Sequence, residues 1–132
     1  MPELQTLDGL WSIIRLPGDA DIPDGIDDDS RPFVSITRTL DELSIVCPAD
    51  RVSADLPATI DIGWRCLRVK GKLDLSMTGV LGSLLAPLAD VRISVFTIST
   101  FDTDYILVKD AALARAIREL RAAGHCVGES TG

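Results

Sequence analysis

The pattern of apolar residues is most regular in the second half of the chain, where it predicts a helix followed by a hairpin. The helix lies within residues 77–91, and its apolar stripe consists of Val80, Leu81, Leu84, Leu85 and Leu88. Ser76 or Thr78 suits its N-cap. Pro87 predicts a kink, because proline lacks the N–H group that would bond back four residues.

The pattern after this helix predicts an antiparallel hairpin and a second helix. Residues 93–100 and 104–109 are rich in β-forming side chains and are joined by a short turn at 101–103. Asp110 suits the N-cap of the second helix, and Gly124 suits its C-terminal end. Its apolar face consists of Leu113, Ala116, Ile117 and Leu120, with Arg115, Arg118 and Arg121 facing away. With strands at 65–70 and 125–127, the order is βαββαβ, the ferredoxin-like motif.

Two internal matches predict that this unit is duplicated. Residues 11–18 match residues 64–71 at an offset of 53, and residues 34–46 match residues 95–107 at an offset of 61. The second copy therefore has eight more residues, about two helical turns, before its hairpin. The first copy has four helix-disfavouring residues in this interval, Pro17, Gly18, Pro23 and Gly25. We therefore expect an α+β fold of two ferredoxin-like units, 1–62 and 63–132, packed as a pseudo-dimer, the first with a degenerate first helix.

Composition narrows the class of protein. Of the 132 residues, 46% are apolar, enough for a sizeable core. The longest apolar stretch, residues 80–91, is shorter than the roughly 20 residues of a membrane span, and the first nine residues lack the features of a signal peptide. The net charge of -7 arises entirely from residues 1–30. We therefore expect a cytoplasmic protein with neither a membrane nor nucleic acid as a partner.

Candidate catalytic and metal-binding residues are few. The cysteines stand far apart and His125 is the one histidine, so no metal site is expected. Cys47 and Cys66 lie in apolar, strand-like runs and are expected in the core. Residues 27–29 are three consecutive aspartates, which favour a solvated loop over a metal site. There is no nucleophile elbow, phosphate loop or HExxH motif, so neither an enzyme nor a cofactor is expected.

The βαββαβ order, Gly71, the run at 75–79 and the segment 93–108 together resemble the ACT domains. More narrowly, they are similar to small bacterial tandem-ACT proteins related to the CASTOR arginine sensors. The likeness covers residues 10–127, is weaker before residue 60, and is most specific at 99–105. It implies a non-catalytic regulatory protein that binds a free amino acid, signals to a separate protein partner and forms a homo-oligomer.

A free amino acid carries a carboxylate and an ammonium group, so its site needs N–H donors and oxygen acceptors. The start of the first helix offers donors and a positive helix end, and the hairpin offers acceptors. ACT domains use the analogous helix start and second strand, so the resemblance implies a site formed by Asp74, Thr78, Gly79, Ser99, Thr100, Asp102 and Asp104. The two acids of the hairpin suit a cationic side chain such as arginine or lysine, and equally the α-ammonium of any amino acid.

Each of these residues also has a purely structural interpretation. Asp102 and Thr103 are common turn residues, Thr78 suits an N-cap, and Gly79 permits close packing of helix on sheet. The pair Asp102 and Asp104 could in principle perform acid–base chemistry, although an isolated pair in a turn is weak evidence. For the whole protein, the alternative is an interaction module that dimerises through exposed sheet edges without a small-molecule ligand.

Overall fold

The structure of the protein is a computed structural model that describes residues 2–27, 32–71, 73 and 78–128. In chain order its strands and α-helices are β1 (Glu3–Thr6), β2 (Trp11–Pro17), β3 (Ser35–Arg38), β4 (Glu42–Pro48), β5 (Thr59–Val69), α1 (Val80–Asp90), β6 (Phe96–Ser99), β7 (Asp104–Lys109), α2 (Leu113–Ala122) and β8 (Cys126–Gly128). Two short 3-10 turns, Ala49–Arg51 and Asp110–Ala112, lie between them.

The chain forms two compact units, and the division between them along the chain falls within β5. The N-terminal unit consists of residues 9–64, and the C-terminal unit consists of residues 1–8 together with residues 65–132. This differs from the predicted division into 1–62 and 63–132, because β1 pairs antiparallel with β5 and parallel with β8. Hydrogen bonding to strands that come late in the sequence therefore assigns the first residues to the C-terminal unit.

The N-terminal unit keeps the ferredoxin-like strand order without its helices. Its strands lie in the order β3-β4-β2-β5, all antiparallel, with residues 59–61 of β5 pairing β2. Within the described residues of this unit, no α-helix follows β2, as predicted, and a 3-10 turn stands in place of the second helix. Ile26 from the connection after β2 is buried against Ile14, Leu16 and Ile45. The connection thus covers the sheet where a helix would otherwise pack.

The C-terminal unit has both helices of the βαββαβ motif. The last residues of β5 lie between β1 and β7, with β8 beyond β1 and β6 beyond β7. This is the ferredoxin-like order with β1 inserted between the first and fourth strands. The main core residues of sheet and helices are Leu4, Leu67, Val69, Leu84, Leu88, Ile106, Val108, Ala116 and Leu120. The predicted apolar stripes of both helices therefore face the core, and the α+β fold is confirmed.

The two hairpins have the same turn. The N–H of Thr39 donates to the carbonyl of Glu42 at 2.8 Å, and the N–H of Thr100 donates to the carbonyl of Thr103 at 2.8 Å. In both turns the threonine Oγ1 also accepts the N–H of the fourth residue, at 3.1 Å in the first and 3.2 Å in the second. Strands β3 and β6 stand at the predicted offset of 61 residues. The shared turn supports the duplication inferred from the sequence.

The helix starts differ from two predictions. The N-cap of α1 is Gly79, at φ +77°, and not Thr78; Ser76 lies outside the described residues. Asp110 does not cap α2, because residues 110–112 form a 3-10 turn first and its carboxylate pairs with Arg65 at 3.3 Å. At Pro87, where a kink was predicted, α1 continues to Asp90. Asp110 thus has a tertiary partner in place of a capping role, whereas Thr78 is displaced because α1 begins one residue later.

Both helices end in a Schellman motif, in which a residue with positive φ lets two N–H groups bond back into the last turn. In α2 this residue is Gly124, at φ +97°, as the sequence predicts. In α1 it is Arg92, at φ +59°. Arg121 was expected on the solvated face of α2. Its Nη2 instead donates to the carbonyl of Val127 at 2.7 Å.

Cys47 and Cys66 are fully buried, as predicted. Burial raises the pKa of both thiols, that of Cys47 to about 11. Across the described residues, no helix is long and apolar enough to cross a membrane. No group of three or more metal-ligating side chains occurs in that same part of the chain, and of the aspartate run 27–29 only Asp27 belongs to it.

Candidate functional site

The candidate site begins at the first turn of α1. Gly79 adopts the left-handed conformation that allows the helix to start at Val80, and it has no side chain with which to cap the turn. The N–H of Ser83 donates to the carbonyl of Gly79 at 2.9 Å. The N–H groups of residues 80–82 precede the first intrahelical bond and carry the partial positive charge of the helix end. This turn can therefore receive an anionic group.

The turn between β6 and β7 lies across from this helix start and carries a carboxylate. Ser99 Oγ donates to Asp104 Oδ1 at 2.6 Å, which fixes the orientation of the acid. A carboxylate can accept about four hydrogen bonds, so Asp104 keeps acceptor capacity for a cationic group. This side of the site can therefore receive an ammonium or guanidinium group.

The turn is held rigidly by two bonds to β5 and the segment after it. Thr103 is 4% exposed, and its hydroxyl donates to the carbonyl of Val69 at 2.7 Å. The N–H of Leu73 donates to the main-chain oxygen of Asp102 at 2.6 Å. The position of the Asp104 carboxylate is therefore set by the sheet and not by a free loop.

A cavity of about 270 Å³ separates the helix start from the turn. It brings together four of the predicted site residues, Gly79, Ser99, Thr100 and Asp104. Its apolar walls are Leu73, Val80, Leu81 and Phe101, and Phe101 is 78% exposed. The combination of helix N–H groups, one carboxylate and apolar walls suits a small zwitterion with an aliphatic portion.

A second cavity, of about 420 Å³, adjoins the first at Leu73, Gly79 and Val80, which line both. Thr78 lines this second cavity, together with Lys70 and Ser83. Asp102 lines neither cavity, and Asp74 lies outside the described residues. Predicted residues therefore line both cavities, with Gly79 shared and Thr78 in the second alone.

Leu73, Phe101 and Thr103 line the first cavity but are not among the site residues predicted from the sequence. Thr103 stands inside the Ser99–Tyr105 segment that carries the family resemblance, so its place in the motif could have marked it. Leu73 carried no such signal, because it belongs to no predicted element and reaches the cavity only through its bond to the turn.

Comparison with known proteins identifies the C-terminal part of the chain. The family model of the ACT domain matches residues 59–122. The chain is an ACT-domain protein. A separate family model, for an N-terminal domain, matches residues 9–55. The first match spans the residues that line the 270 Å³ cavity, and the second falls within the N-terminal unit.

Among solved structures, the ACT-domain protein resembles the crystal structure of protein Atu0741 from Agrobacterium tumefaciens. The two sequences are 38% identical, the match covers 99% of this chain and 95% of the other, and the TM-score is 0.89. At this identity and coverage the two chains belong to one family and share the same fold throughout.

Two curated relatives are longer than the ACT-domain protein. Human CASTOR3P is 33% identical over 87 residues, which cover 58% of this chain and 53% of the relative. The mouse cytosolic arginine sensor for mTORC1 subunit 1 is 34% identical over 92 residues, 65% of this chain and 28% of the relative. The chain therefore spans about half or less of the length of these relatives.

Proposed function

We propose that the protein is a non-catalytic regulator that binds a free amino acid in the 270 Å³ cavity and signals to a separate protein partner. The observation that carries this is the meeting of two complementary groups on one cavity, the uncapped N–H groups at the start of α1 and the Asp104 carboxylate. A free amino acid presents the matching carboxylate and ammonium group within a few ångströms of each other.

In this proposal the ligand carboxylate accepts hydrogen bonds from the N–H groups of residues 80–82, and its ammonium group donates to Asp104. Ser99 and Thr100 supply further polar atoms at the same wall. Thr78 contributes from the adjoining cavity, and Asp74 remains in the proposed set. Asp102 has a structural role instead, because its main-chain oxygen holds Leu73 while its side chain lines neither cavity.

The chemical class of the ligand is proposed from the Asp104 carboxylate and from the name of a relative. Asp104 suits either an α-ammonium group or a cationic side chain. The mouse relative is named as a cytosolic arginine sensor. We therefore place arginine first among the amino acids to be tested, with lysine next, and expect the protein to act in the cytoplasm.

An interaction module without a ligand is the second candidate, and one observation favours it. In the described sheet β6 pairs with β7 and with no other strand, so its outer edge is open to strand addition. A homo-oligomer formed through this edge would need no amino acid. The two candidates differ in whether any amino acid stabilises the fold.

The test is a thermal-shift screen of the purified protein against the twenty amino acids. A ligand at about 100 times its dissociation constant adds about 2.7 kcal/mol to the free energy of unfolding, which raises the melting temperature by several degrees. Asp104→Asn should abolish the shift, because it removes the charge at the cavity. Asp102→Asn removes the same charge from the same turn and should keep the shift.

Two results would contradict this function. If no amino acid raises the melting temperature of the wild type, the interaction module is the better account. If the shift survives Asp104→Asn but disappears in Asp102→Asn, an amino acid binds but the assignment of its ammonium site to the cavity is wrong.

A further inference from the structure

Helix α1 contains a carbonyl group that lacks its usual α-helical partner. In an α-helix the N–H of residue 87 would donate to the carbonyl of Ser83. Residue 87 is proline, which has no N–H to donate. The Ser83 carbonyl is therefore left for a partner from outside the helix or for solvent, because a main-chain carbonyl is a strong acceptor that is nearly always hydrogen-bonded.

That partner is the imidazole of His125, whose Nε2 lies 2.9 Å from the Ser83 carbonyl oxygen. A carbonyl can only accept, so Nε2 carries a proton and donates it. The other ring nitrogen, Nδ1, is buried and has no hydrogen-bond partner among the described residues, so Nε2 makes the one hydrogen bond of the ring found there. His125 is 4% exposed, whereas Ser83 lies at the surface, so the bond joins a buried side chain to an exposed turn.

The position of His125 is set by the end of α2. Gly124 turns the chain with its φ of +97°, and the N–H of His125 then donates to the carbonyl of Leu120 at 3.0 Å. The side chain thus connects the C-terminal end of one helix to the first half of the other. These two residues, His125 and Ser83, are 42 positions apart in the sequence.

Ser83 belongs to the turn that forms the wall of the candidate cavities. Its N–H bonds the carbonyl of Gly79, and its Oγ donates to the carbonyl of Val80 at 2.7 Å. Gly79 and Val80 line both cavities, and Ser83 lines the larger one. A hydrogen bond to the Ser83 carbonyl therefore restrains the same turn that offers its N–H groups to a ligand.

We propose that His125 is a positioning residue that holds the first turn of α1, and through it the cavity wall, by replacing the hydrogen bond that Pro87 cannot make. Its effect on ligand affinity rests on the proposed amino-acid binding, whereas its effect on the turn does not. The two effects are measured separately so that each can fail by itself.

The experiment uses three variants of the full chain. His125→Leu replaces the imidazole donor by an apolar side chain of similar size. His125→Gln keeps an N–H donor close to the Nε2 position. The double variant His125→Leu with Pro87→Ala restores an N–H at residue 87, so that the Ser83 carbonyl can be satisfied within the helix.

Amide hydrogen exchange of the ligand-free protein measures how well the hydrogen bonds of this turn are protected. In His125→Leu we expect the N–H groups of Ser83 and Leu84 to exchange about tenfold faster, the equivalent of one hydrogen bond, while amides of β7 change little. Glutamine should restore part of the protection, and the double variant should restore most of it. Binding of the amino acid found in the screen should weaken about tenfold in His125→Leu and recover in the double variant.

Exchange that rises equally in β7 and in α1 would make His125 an ordinary core residue and overturn the proposal, as would a double variant no better than His125→Leu. If His125→Leu does not fold, amide exchange is compared between His125→Gln and the wild type instead. Loss of protection at the Ser83 and Leu84 amides of His125→Gln would then overturn the proposal. If the exchange results hold and no amino acid binds the wild type, the positioning of the turn stands and the proposed function fails.

Discussion

Replacing Arg92 by glycine is expected to stabilise the protein. Arg92 has φ +59°, a left-handed conformation that costs a residue with a Cβ atom about 1–2 kcal/mol relative to glycine. The position is required by the helix end, because the Arg92 N–H bonds the carbonyl of Ala89 and the Ile93 N–H bonds that of Leu88, both at 3.0 Å. Glycine satisfies the same Schellman geometry without the steric cost.

The expected gain is smaller than the steric cost, because glycine is also more flexible in the unfolded chain. That flexibility offsets about 0.4–1 kcal/mol. The net increase in the free energy of unfolding should be about 0.5–1 kcal/mol, equivalent to a rise of a few degrees in melting temperature. At the end of α2 the exchange runs in the opposite direction: Gly124 occupies the same position at φ +97°, and Gly124→Ala should lower stability by about 1 kcal/mol.

The free energies of unfolding of the wild type, Arg92→Gly and Gly124→Ala are compared by urea unfolding, followed by circular dichroism under one set of conditions. Arg92→Ala is the control, because it removes the charged side chain but keeps the Cβ atom that strains the backbone. If Arg92→Ala gains as much as Arg92→Gly, the side chain and not the backbone conformation is responsible. A loss of stability in Arg92→Gly would contradict a steric cost of the left-handed backbone at this position.

Two further changes test the N-terminal unit. Gly18→Ala should cost about 1–3 kcal/mol, because the new Cβ would lie 2.6 Å from the main-chain oxygen of Leu40. Gly82→Ala, whose new Cβ meets nothing within 4 Å, is the control and should lose no stability, because alanine favours the helix in which it lies. An unchanged urea midpoint for Gly18→Ala would show that the hairpin turn shifts to accommodate the new Cβ. The pKa of Cys47 is about 11 in the fold and 9.0 when exposed, so only the unfolded state releases this proton between those values and stability should fall as pH rises from 9 to 11. Denaturant unfolding at pH 8 and pH 10.5 should show a smaller fall in Cys47→Ala, and an equal fall would exclude Cys47 as a contributor.

The sequence alone determined the elements whose signals are local. The apolar stripe of α2, the β6–β7 hairpin and the Gly124 helix end follow from periodicity and turn chemistry within a dozen residues, and the structure contains all three. The offset of 61 residues located a second hairpin with the same threonine turn. The polar residues of the 270 Å³ cavity were also found this way, because Gly79 and the Ser99–Asp104 turn belong to motifs that can be read along the chain.

Features that depend on residues far apart in the sequence follow from the assembled fold. The pairing of β1 with β5 and β8, the ion pair of Arg65 with Asp110, and the bond from His125 to the Ser83 carbonyl each join segments more than 40 residues apart. No local pattern encodes them, because each group satisfies a partner that exists only once the sheet and helices have assembled. The candidate ligand cavity is of this kind: its residues are local motifs, but their meeting is a property of the fold.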